Sequence, residues 1–376
     1  MPGKPAWCGL YIGLISGTSM DGIDAALVEL NDASCRVITA KTYTYAKELR
    51  DTLLHLSRRP DECTIDVVGR IDHWIAESFR DAALSVIRQG GATAEGITAI
   101  GSHGQTLRHK PRADRPFTLQ LGDPNIIAAG TGITTVADFR RRDLAEGGEG
   151  APLAPAFHAW AFSSQEKRVI LNIGGFANVT VLDGANGGVS GFDTGPGNSL
   201  MDAWCLLHTG KPYDENGDWA SSGTVDVSLL NRMLSDDYFA LPPPKSTGFE
   251  YFDHAWLTQH LDSGSDRRVN DVQATLCELT ARTIADAVNT HAASAKDVLV
   301  CGGGVHNQHL MRRLQDNLPN QRVASTTTAG VEPDWIEAAA FAWLAARRLA
   351  NLPGNIPTVT GARAPAILGG VFSGRI

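Results

Sequence analysis

The sequence predicts an α/β protein of two lobes around a central cleft, and three observations predict that class. The chain has 376 residues, of which 43% are hydrophobic, enough for a large core that is usually divided between two domains at this length. Apolar runs of strand length alternate with long helical patterns, as they do in α/β units. The same succession of strand, glycine turn and strand occurs twice, so the two lobes should share one plan.

The first lobe opens with apolar runs at residues 10–15 and 23–30, which we interpret as the two strands of a hairpin. The turn between them, residues 16–22, is rich in glycine and small polar side chains. A helical pattern at residues 65–88 leads to a strand at 97–100 and then to a second polar glycine turn.

The second lobe repeats this order. Apolar runs at residues 168–173 and 178–182 flank a glycine turn at 174–177, and a helical pattern at 272–291 leads to a strand at 297–301 followed by three glycines. Ligands of α/β proteins usually bind where strands end. We therefore expect the four glycine turns to surround one cleft.

The join between the lobes is predicted within residues 143–155, where glycine and proline cannot sustain a helix or a strand. This places the lobes at residues 1–145 and 146–376. The last helical pattern, residues 335–349, has apolar side chains on nearly every side, which predicts a helix packed between other elements. The sequence leaves open whether that helix packs back on the first lobe.

Charge and cysteine content favour a cytoplasmic protein that acts on small molecules. With 33 Lys and Arg against 41 Asp and Glu, a net charge of −8 and no basic cluster, nucleic acid and anionic membranes are poor partners. The six cysteines form no CxxC pair, which argues against a zinc site or a disulfide framework. No apolar run reaches the roughly 20 residues of a membrane helix, and no export signal is expected at the N-terminal end.

The first glycine turn has the glycine spacing of a phosphate-binding P-loop but lacks its Lys-Ser/Thr pair. Backbone N–H groups of such a turn can still hold phosphates, with Asp21 near a magnesium ion. A plain hairpin turn is the alternative. The predicted phosphate-binding residues are Gly17, Thr18, Ser19, Met20, Asp21, Gly22, Ile23 and Asp24.

A more specific pattern follows in the second lobe, where Asp193 precedes the turn Thr194-Gly195-Pro196-Gly197 and an apolar helix. A carboxylate in this position can act as a base. Free N–H groups of the turn and of the helix N-terminus would favour an anionic group beside it, as phosphoryl transfer requires. The alternative is that Asp193 caps the helix near Asn198.

The remaining motifs are weaker when taken alone. Residues 302–304 are all glycine and permit close approach of the backbone to a flat ligand such as adenine, although most such runs are tight turns. Gln105 lies in the second glycine turn among polar groups suited to a sugar, and Arg140 could place its guanidinium on a carboxylate or phosphate. His103 is more typical of a structural histidine, and the helix dipole alone explains Glu337 in the first turn of the last helix.

Together these motifs resemble the anhydro-N-acetylmuramic acid kinases, and the resemblance runs nearly end to end. It implies the fold of the superfamily of sugar kinases, actin and heat-shock chaperones, a two-lobed actin-like ATPase fold with a duplicated ribonuclease-H-like core. The segments that carry the resemblance are residues 17–24, 101–106, 122–123, 137–140, 172–175 and 193–198.

The resemblance implies an enzyme of peptidoglycan recycling that uses ATP, Mg²⁺ and water to convert 1,6-anhydro-N-acetylmuramic acid to N-acetylmuramic acid 6-phosphate. It makes Asp193 the catalytic base and Gln105, Arg140 and Glu337 the sugar contacts, and it also implies a homodimer. Closure of the lobes around the ligands is expected. The implied nucleotide contacts are residues 17–24 with Gly174, Gly175, Gly195, Gly197, Gly302, Gly303 and Gly304, with Asp21 near the metal.

Two other functions remain open at this point. A conventional sugar kinase that phosphorylates a free hydroxyl would use the same base and glycine turns. A nucleotide-dependent switch or sugar-binding module without catalysis is also compatible with such a fold. Incorporation of water oxygen into the product separates the first from the anhydro-sugar reaction, and dependence of turnover on Asp193 separates the second.

Overall fold

The computed structural model describes residues 7–17, 20–32, 34–249, 251–261 and 267–374. These form two compact units. The first unit comprises the described residues of Met1–Ala161 and Trp335–Ile376, and the second those of Phe162–Asp334.

Strands and helices alternate along most of the chain. The strands are β1 (Gly9–Ser16), β2 (Gly22–Leu30), β3 (Cys35–Thr44), β4 (Ile97–Lys110), β5 (Phe117–Leu121), β6 (Thr135–Ala137), β7 (Arg168–Ile173), β8 (Phe176–Leu182), β9 (Val189–Pro196), β10 (Asp297–Cys301), β11 (Arg322–Ser325) and β12 (Gly370–Phe372). The helices are α1 (Lys47–Arg58), α2 (Ile65–Gln89), α3 (Pro124–Thr131), α4 (Phe139–Ala145), α5 (Ala154–Ala161), α6 (Ser199–Thr209), α7 (Asp218–Ser221), α8 (Val227–Leu234), α9 (Asp237–Ala240), α10 (His254–His260), α11 (Val269–His291), α12 (Gln308–Asn317), α13 (Ile336–Leu349) and α14 (Pro357–Thr360).

The order of all five strands of the second sheet recurs in the first sheet, which has β5 and β12 in addition, and this confirms the predicted duplication. In the first unit the order is β12-β6-β4-β1-β2-β3, with β5 paired to β4, and in the second it is β11-β10-β7-β8-β9. In each unit an antiparallel three-stranded meander is followed by parallel strands on the far side of its first strand. This is the order expected of a ribonuclease-H-like core.

Two long helices pack on the first sheet. Helix α2 begins at the capping side chain of Thr64 and buries a stripe that includes Ile75 and Phe79, as its 3.6-residue apolar period predicts. Helix α13 packs on β1 and β4. Its backbone comes so close to the sheet that a Cβ on Gly13 or Gly101 would overlap the carbonyl groups of that helix.

The units divide later in the chain than predicted, because the glycine-rich crossing belongs to the first unit. The buried Asp143 carboxylate accepts from the N–H of Gly150 at 2.7 Å, and its other oxygen accepts from Asn355 at 2.6 Å and Thr360 at 2.8 Å. The crossing is thereby fixed to the C-terminal segment. The predicted boundary at 145/146 is corrected to 161/162, and residues from 335 onward return to the first unit.

Two predicted glycine turns are parts of strands. Strand β4 continues through residues 101–106 because it pairs with β1 as far as Gln105 and with β5 from Gln105 to Lys110. Strand β9 likewise includes Asp193 and runs to Pro196. Among the described residues, no helix is long and apolar enough to span a membrane.

Candidate functional site

Asp193 is held within β9 by a segment that lies far from it in the sequence. The N–H of Thr247 donates to Asp193 Oδ2 at 3.0 Å, and the N–H of Asp193 donates to the carbonyl of Lys245 at 3.0 Å. The Tyr238 hydroxyl donates to the Asp193 carbonyl at 2.9 Å. The N-cap residue of α6 is Asn198, and the printed contacts of Asp193 come from the distant segment that contains Tyr238, Lys245 and Thr247.

Three backbone N–H groups that follow β9 have partners in the β7–β8 hairpin. Gly197 and Ser199 donate to the carbonyl of Gly175 at 2.9 and 3.1 Å, and Asn198 donates to that of Gly174 at 2.8 Å. Gly174, Gly175 and Gly197 therefore join the β7–β8 hairpin to the start of α6. Gly195, whose φ is +147°, lies against the ring of Phe239.

The three glycines after β10 have different roles. Gly302 has a φ of +77°, and a Cβ there would meet Asn172 and the carbonyl of Ile173. A Cβ on Gly304 would overlap the side chain of Ile173. Packing therefore requires the outer two glycines, whereas Gly303 is exposed and lines a cavity.

That cavity lies within the second unit and measures about 420 Å³, a size typical of small-molecule sites. Tyr213 contributes a ring that is 57% exposed. Burial, together with the nearby charge of Asp214, raises the pKa of Asp202 to about 7. The lining residues are Asn198, Asp202, Tyr213, Asp214, Glu215, Asn216, Gly303, His306 and Asn307.

The predicted phosphate turn is tight and only partly described, since Thr18 and Ser19 lie outside the described residues. The N–H of Met20 donates to the carbonyl of Gly17 at 3.2 Å. The side chains of Met20 and Ile23 are buried in the core, so these two residues could meet a ligand only through their backbone.

The carboxylates of this turn already have partners. Asp21 is exposed and pairs with Arg50 at 2.7 Å. Asp24 lies on β2, directly after Gly22 and Ile23, and accepts from Thr42 Oγ1 at 2.6 Å.

An exposed carboxylate suits one magnesium ligand, because Mg²⁺ usually takes one or two carboxylates together with water and phosphate oxygens. Among the described residues no group of three or more His, Cys, Asp or Glu forms a dedicated metal cage. The exposed Asp21 carboxylate is therefore compatible with one position in the coordination shell of a magnesium ion.

Arg140 and Glu337 interact electrostatically in the first unit. Arg140 donates from Nε to His103 Nε2 at 2.9 Å and from Nη1 to the carbonyl of Gly150 at 2.8 Å. Desolvation lowers the pKa of Arg140 to about 10, while Glu337 and Asp143 oppose that shift. The Glu337 side chain is accessible to solvent, yet desolvation by the surrounding protein raises its pKa against the influence of Arg140.

Gln105, predicted as a sugar contact, is fully buried. Its Nε2 donates to the carbonyl of Gly17 at 3.1 Å, and the hydroxyl of Tyr45 donates to its Oε1 at 3.5 Å. Gln105 therefore binds the start of the predicted phosphate turn to β4 through the carbonyl of Gly17.

A second cavity, of about 330 Å³, lies within the first unit beside the polar residues of β4. It is lined by the Ser102-His103-Gly104 stretch and by Gly122 and Asp123, among others. The motif at residues 122–123 thus lies close to the polar stretch of β4.

Sequence reasoning did not identify Tyr238, Lys245 or Thr247 as site residues. The run of prolines at 242–244 followed by small polar residues is a local signal of a special segment. Nothing local connects that segment to Asp193, because the hydrogen bond from Thr247 spans 54 positions.

Comparison with known proteins gives a consistent result. A family model described as anhydro-N-acetylmuramic acid kinase matches residues 9–374. The chain is 51% identical to the anhydro-N-acetylmuramic acid kinase of Xanthomonas campestris pv. campestris (strain 8004), over 96% of this chain and 97% of the relative. It is 50% identical to that of Photobacterium profundum, over 96% and 98%. An activator of 2-hydroxyisocaproyl-CoA dehydratase from Clostridium difficile is a more distant structural match, with a TM-score of 0.47 and 14% identity over 91% of this chain and 96% of that one.

Proposed function

The chain belongs to the anhydro-N-acetylmuramic acid kinase family, and we propose that it converts 1,6-anhydro-N-acetylmuramic acid, ATP and water to N-acetylmuramic acid 6-phosphate and ADP. The observation that carries the proposal is the family match over residues 9–374. We further propose that this reaction recovers a sugar of the cell wall in peptidoglycan recycling.

The substrate dictates an unusual kinase reaction. Its O6 is tied to C1 by the anhydro bridge, so there is no 6-hydroxyl to deprotonate. Water attacks C1, the C1–O6 bond breaks, and O6 accepts the γ-phosphoryl group. One carboxylate is then enough, because the phosphoryl group neutralises the leaving oxygen that a general acid would protonate in a glycosidase.

Asp193 is assigned as the base that takes a proton from the attacking water. The Thr247 N–H holds one carboxylate oxygen at 3.0 Å, which restricts the carboxylate to one orientation. A fixed base lowers the entropy lost on reaching the transition state.

The nucleotide is assigned to two places in the chain. Residues 17–24 hold phosphates, and the cavity that contains Gly303 and Tyr213 takes the nucleoside, since its volume of about 420 Å³ suits a small molecule. Magnesium, when bound with the nucleotide, would neutralise phosphate charge, and Asp21 supplies a carboxylate for it. Arg140 and Glu337 are assigned to the sugar.

The test is incubation with ATP, Mg²⁺ and 1,6-anhydro-N-acetylmuramic acid in ¹⁸O-water, with products followed by mass spectrometry. We expect one ¹⁸O at C1 of the sugar 6-phosphate, and a loss of turnover of about 10³-fold in Asp193→Asn. The matched control is Asp218→Asn, an exposed carboxylate of the same unit, which should retain activity.

Other results would change the assignment. A 6-phosphate that forms only from free sugars and without label would identify a conventional hydroxyl kinase. Tight binding of both ligands by the wild-type protein, with no turnover, would identify a binding module instead.

A further inference from the structure

Asp193 lies at an irregular point of an edge strand. Among the described residues β9 is the last strand of its sheet, so β8 is its one strand neighbour. The pairing of these two strands also skips one residue, Thr194, between Asp193 and Gly195. Such bulges bend a strand and change the direction of its side chains. The orientation of Asp193 therefore depends on contacts from outside the sheet.

Residues 238–247 make three such contacts, one each to the N–H, the carbonyl and the carboxylate of Asp193. The carbonyl of Lys245 accepts from the N–H of Asp193 at 3.0 Å. The Tyr238 hydroxyl donates to the Asp193 carbonyl at 2.9 Å, and the N–H of Thr247 donates to Asp193 Oδ2 at 3.0 Å. The three bonds can form together only while Tyr238, Lys245 and Thr247 keep their spacing.

The ammonium group of Lys245 fixes that spacing. Its Nζ donates to the carbonyl of Tyr238 at 3.0 Å and to that of Phe239 at 3.2 Å. It also lies 4.6 Å from the centre of the Tyr238 ring, within the range of a cation–π contact. One side chain therefore links the residue that holds the Asp193 carbonyl to the residue that holds the Asp193 N–H.

The surroundings of this ammonium group are unfavourable for a charge that serves the fold alone. Desolvation lowers the pKa of Lys245 below its ordinary value. Its two hydrogen-bond acceptors are uncharged carbonyl groups, which compensate for lost water less fully than a carboxylate does. Desolvated ionisable groups of this kind are concentrated at functional sites.

Resting on the proposed function, we infer that Lys245 is a positioning residue for Asp193, whose ammonium group holds residues 238–247 in the conformation that directs the carboxylate at the attacking water. Lys245 acts through Tyr238 and through its own backbone carbonyl, and it takes no part in the proton transfer. Its contribution is to orientation, and displacement of a reacting group by about 1 Å can cost about 100-fold in rate.

The experiment measures kcat and KM of Lys245→Met with 1,6-anhydro-N-acetylmuramic acid, ATP and Mg²⁺. Methionine keeps an unbranched apolar chain and removes the ammonium group. We expect kcat to fall about 10- to 100-fold and the KM values for ATP and sugar to change by less than about twofold. A lysine that bound either substrate would raise KM instead. Lys296→Met is the matched control, because Lys296 is exposed and directly precedes β10, and it should keep wild-type values.

A double-mutant cycle tests whether Lys245 acts through Asp193. Asp193→Asn removes the base, so loss of the restraint on that residue should have no further effect. The kcat of the double variant Lys245→Met/Asp193→Asn should therefore equal that of Asp193→Asn alone. Losses that multiply would show that Lys245 acts independently of the base and would overturn the inference.

Tyr238→Phe provides a second test, because it keeps the ring and removes only the hydroxyl that donates to the Asp193 carbonyl. Its kcat should fall about tenfold with unchanged KM, and it should likewise have no effect when combined with Asp193→Asn. Should Lys245→Met fail to fold, as judged by circular dichroism, this cycle decides the question.

Wild-type kcat in folded Lys245→Met or in Tyr238→Phe overturns the inference. A wild-type protein that forms no sugar phosphate overturns the proposed function, and the inference with it.

Discussion

Arg140 and His103 affect each other: the histidine orients the arginine side chain, and the arginine keeps the histidine neutral. His103 is buried, and desolvation together with the charge of Arg140 lowers its pKa well below the usual value. Because His103 is neutral, its Nε2 can accept from Arg140 while Nδ1 donates to the carbonyl of Gly104 at 2.9 Å. His103, which the sequence indicated as a structural histidine, therefore orients the side chain of Arg140.

His158 should make the stability of the first unit depend on pH. Burial lowers its pKa from 6.5 to about 3, so below pH 6.5 the unfolded chain binds a proton that the folded chain does not. Stability is present above that pH and is lost as the pH falls. Between about pH 7.5 and pH 5 this histidine alone accounts for about 2 kcal/mol.

His158→Leu should therefore reduce the difference in unfolding free energy between those two pH values by about 2 kcal/mol. Urea unfolding of both proteins at each pH measures that difference and cancels the effect of the substitution on packing. Equal pH dependence in the two proteins would show that His158 is protonated in the folded state as well.

At this scale the sequence identified side chains but not their orientation. Asp193 could be selected because a carboxylate before a glycine turn is a local pattern. Thr247 could not, since its contact with Asp193 is formed only when distant segments meet. Gly302 and Gly304 were predicted as nucleotide contacts. Both pack against Ile173, and a sequence does not distinguish a glycine required by packing from one that faces a ligand.

Among the elements, α13 depends most on glycines in its partner strands. Its buried face is largely alanine, which lets the helix backbone approach β1 and β4 closely. Gly13 and Gly101 lie opposite each other in the parallel pair of those strands. Small residues on both sides thus form one closely packed contact.

Gly13→Ala should lower the free energy of unfolding by about 3 kcal/mol or more, because its methyl group would overlap the carbonyl of Ala338 and overpacking forces the backbone apart. Urea unfolding followed by circular dichroism checks the change.

Gly69→Ala is the control for this substitution. Gly69 lies within α2, and a Cβ there meets nothing within 4 Å, so this change should raise stability by about 0.5–1 kcal/mol through helix propensity. Similar stability in the two variants would exclude close packing of α13 on β1.

Elements with a clear apolar period were predicted well, and polar ones were not. The strand at 297–301 has the predicted bounds, and the helix predicted at 65–88 extends by one residue, to Gln89. The part of β4 after Gly101 was predicted as a turn, because its glycines and polar side chains are typical of loops. Pairing with neighbours on both sides keeps that segment extended.

For the whole molecule, the order of segments along the chain determines which fragments can fold. Among the described residues, the hydrophobic cluster of the second unit lies between Val169 and Val323, and that unit is one continuous stretch of chain. The first unit is discontinuous, because it includes α13. This division could not be predicted from the sequence, since a helix with apolar residues on nearly every side is compatible with many partners.

A fragment of residues 162–334 should therefore fold alone and unfold cooperatively on heating, as measured by circular dichroism. Residues 1–161 alone should not, because the face of β1 and β4 that α13 covers would be open to water, and exposed apolar faces of this size promote aggregation. Joining residues 335–376 to that fragment through a flexible linker should restore a cooperative transition. Cooperative unfolding of residues 146–376 but not of residues 162–334 would instead place the boundary near the glycine-rich crossing. The hydrogen bonds of Asp143 to Gly150 and Thr360 would then be too weak to keep that crossing in the first unit.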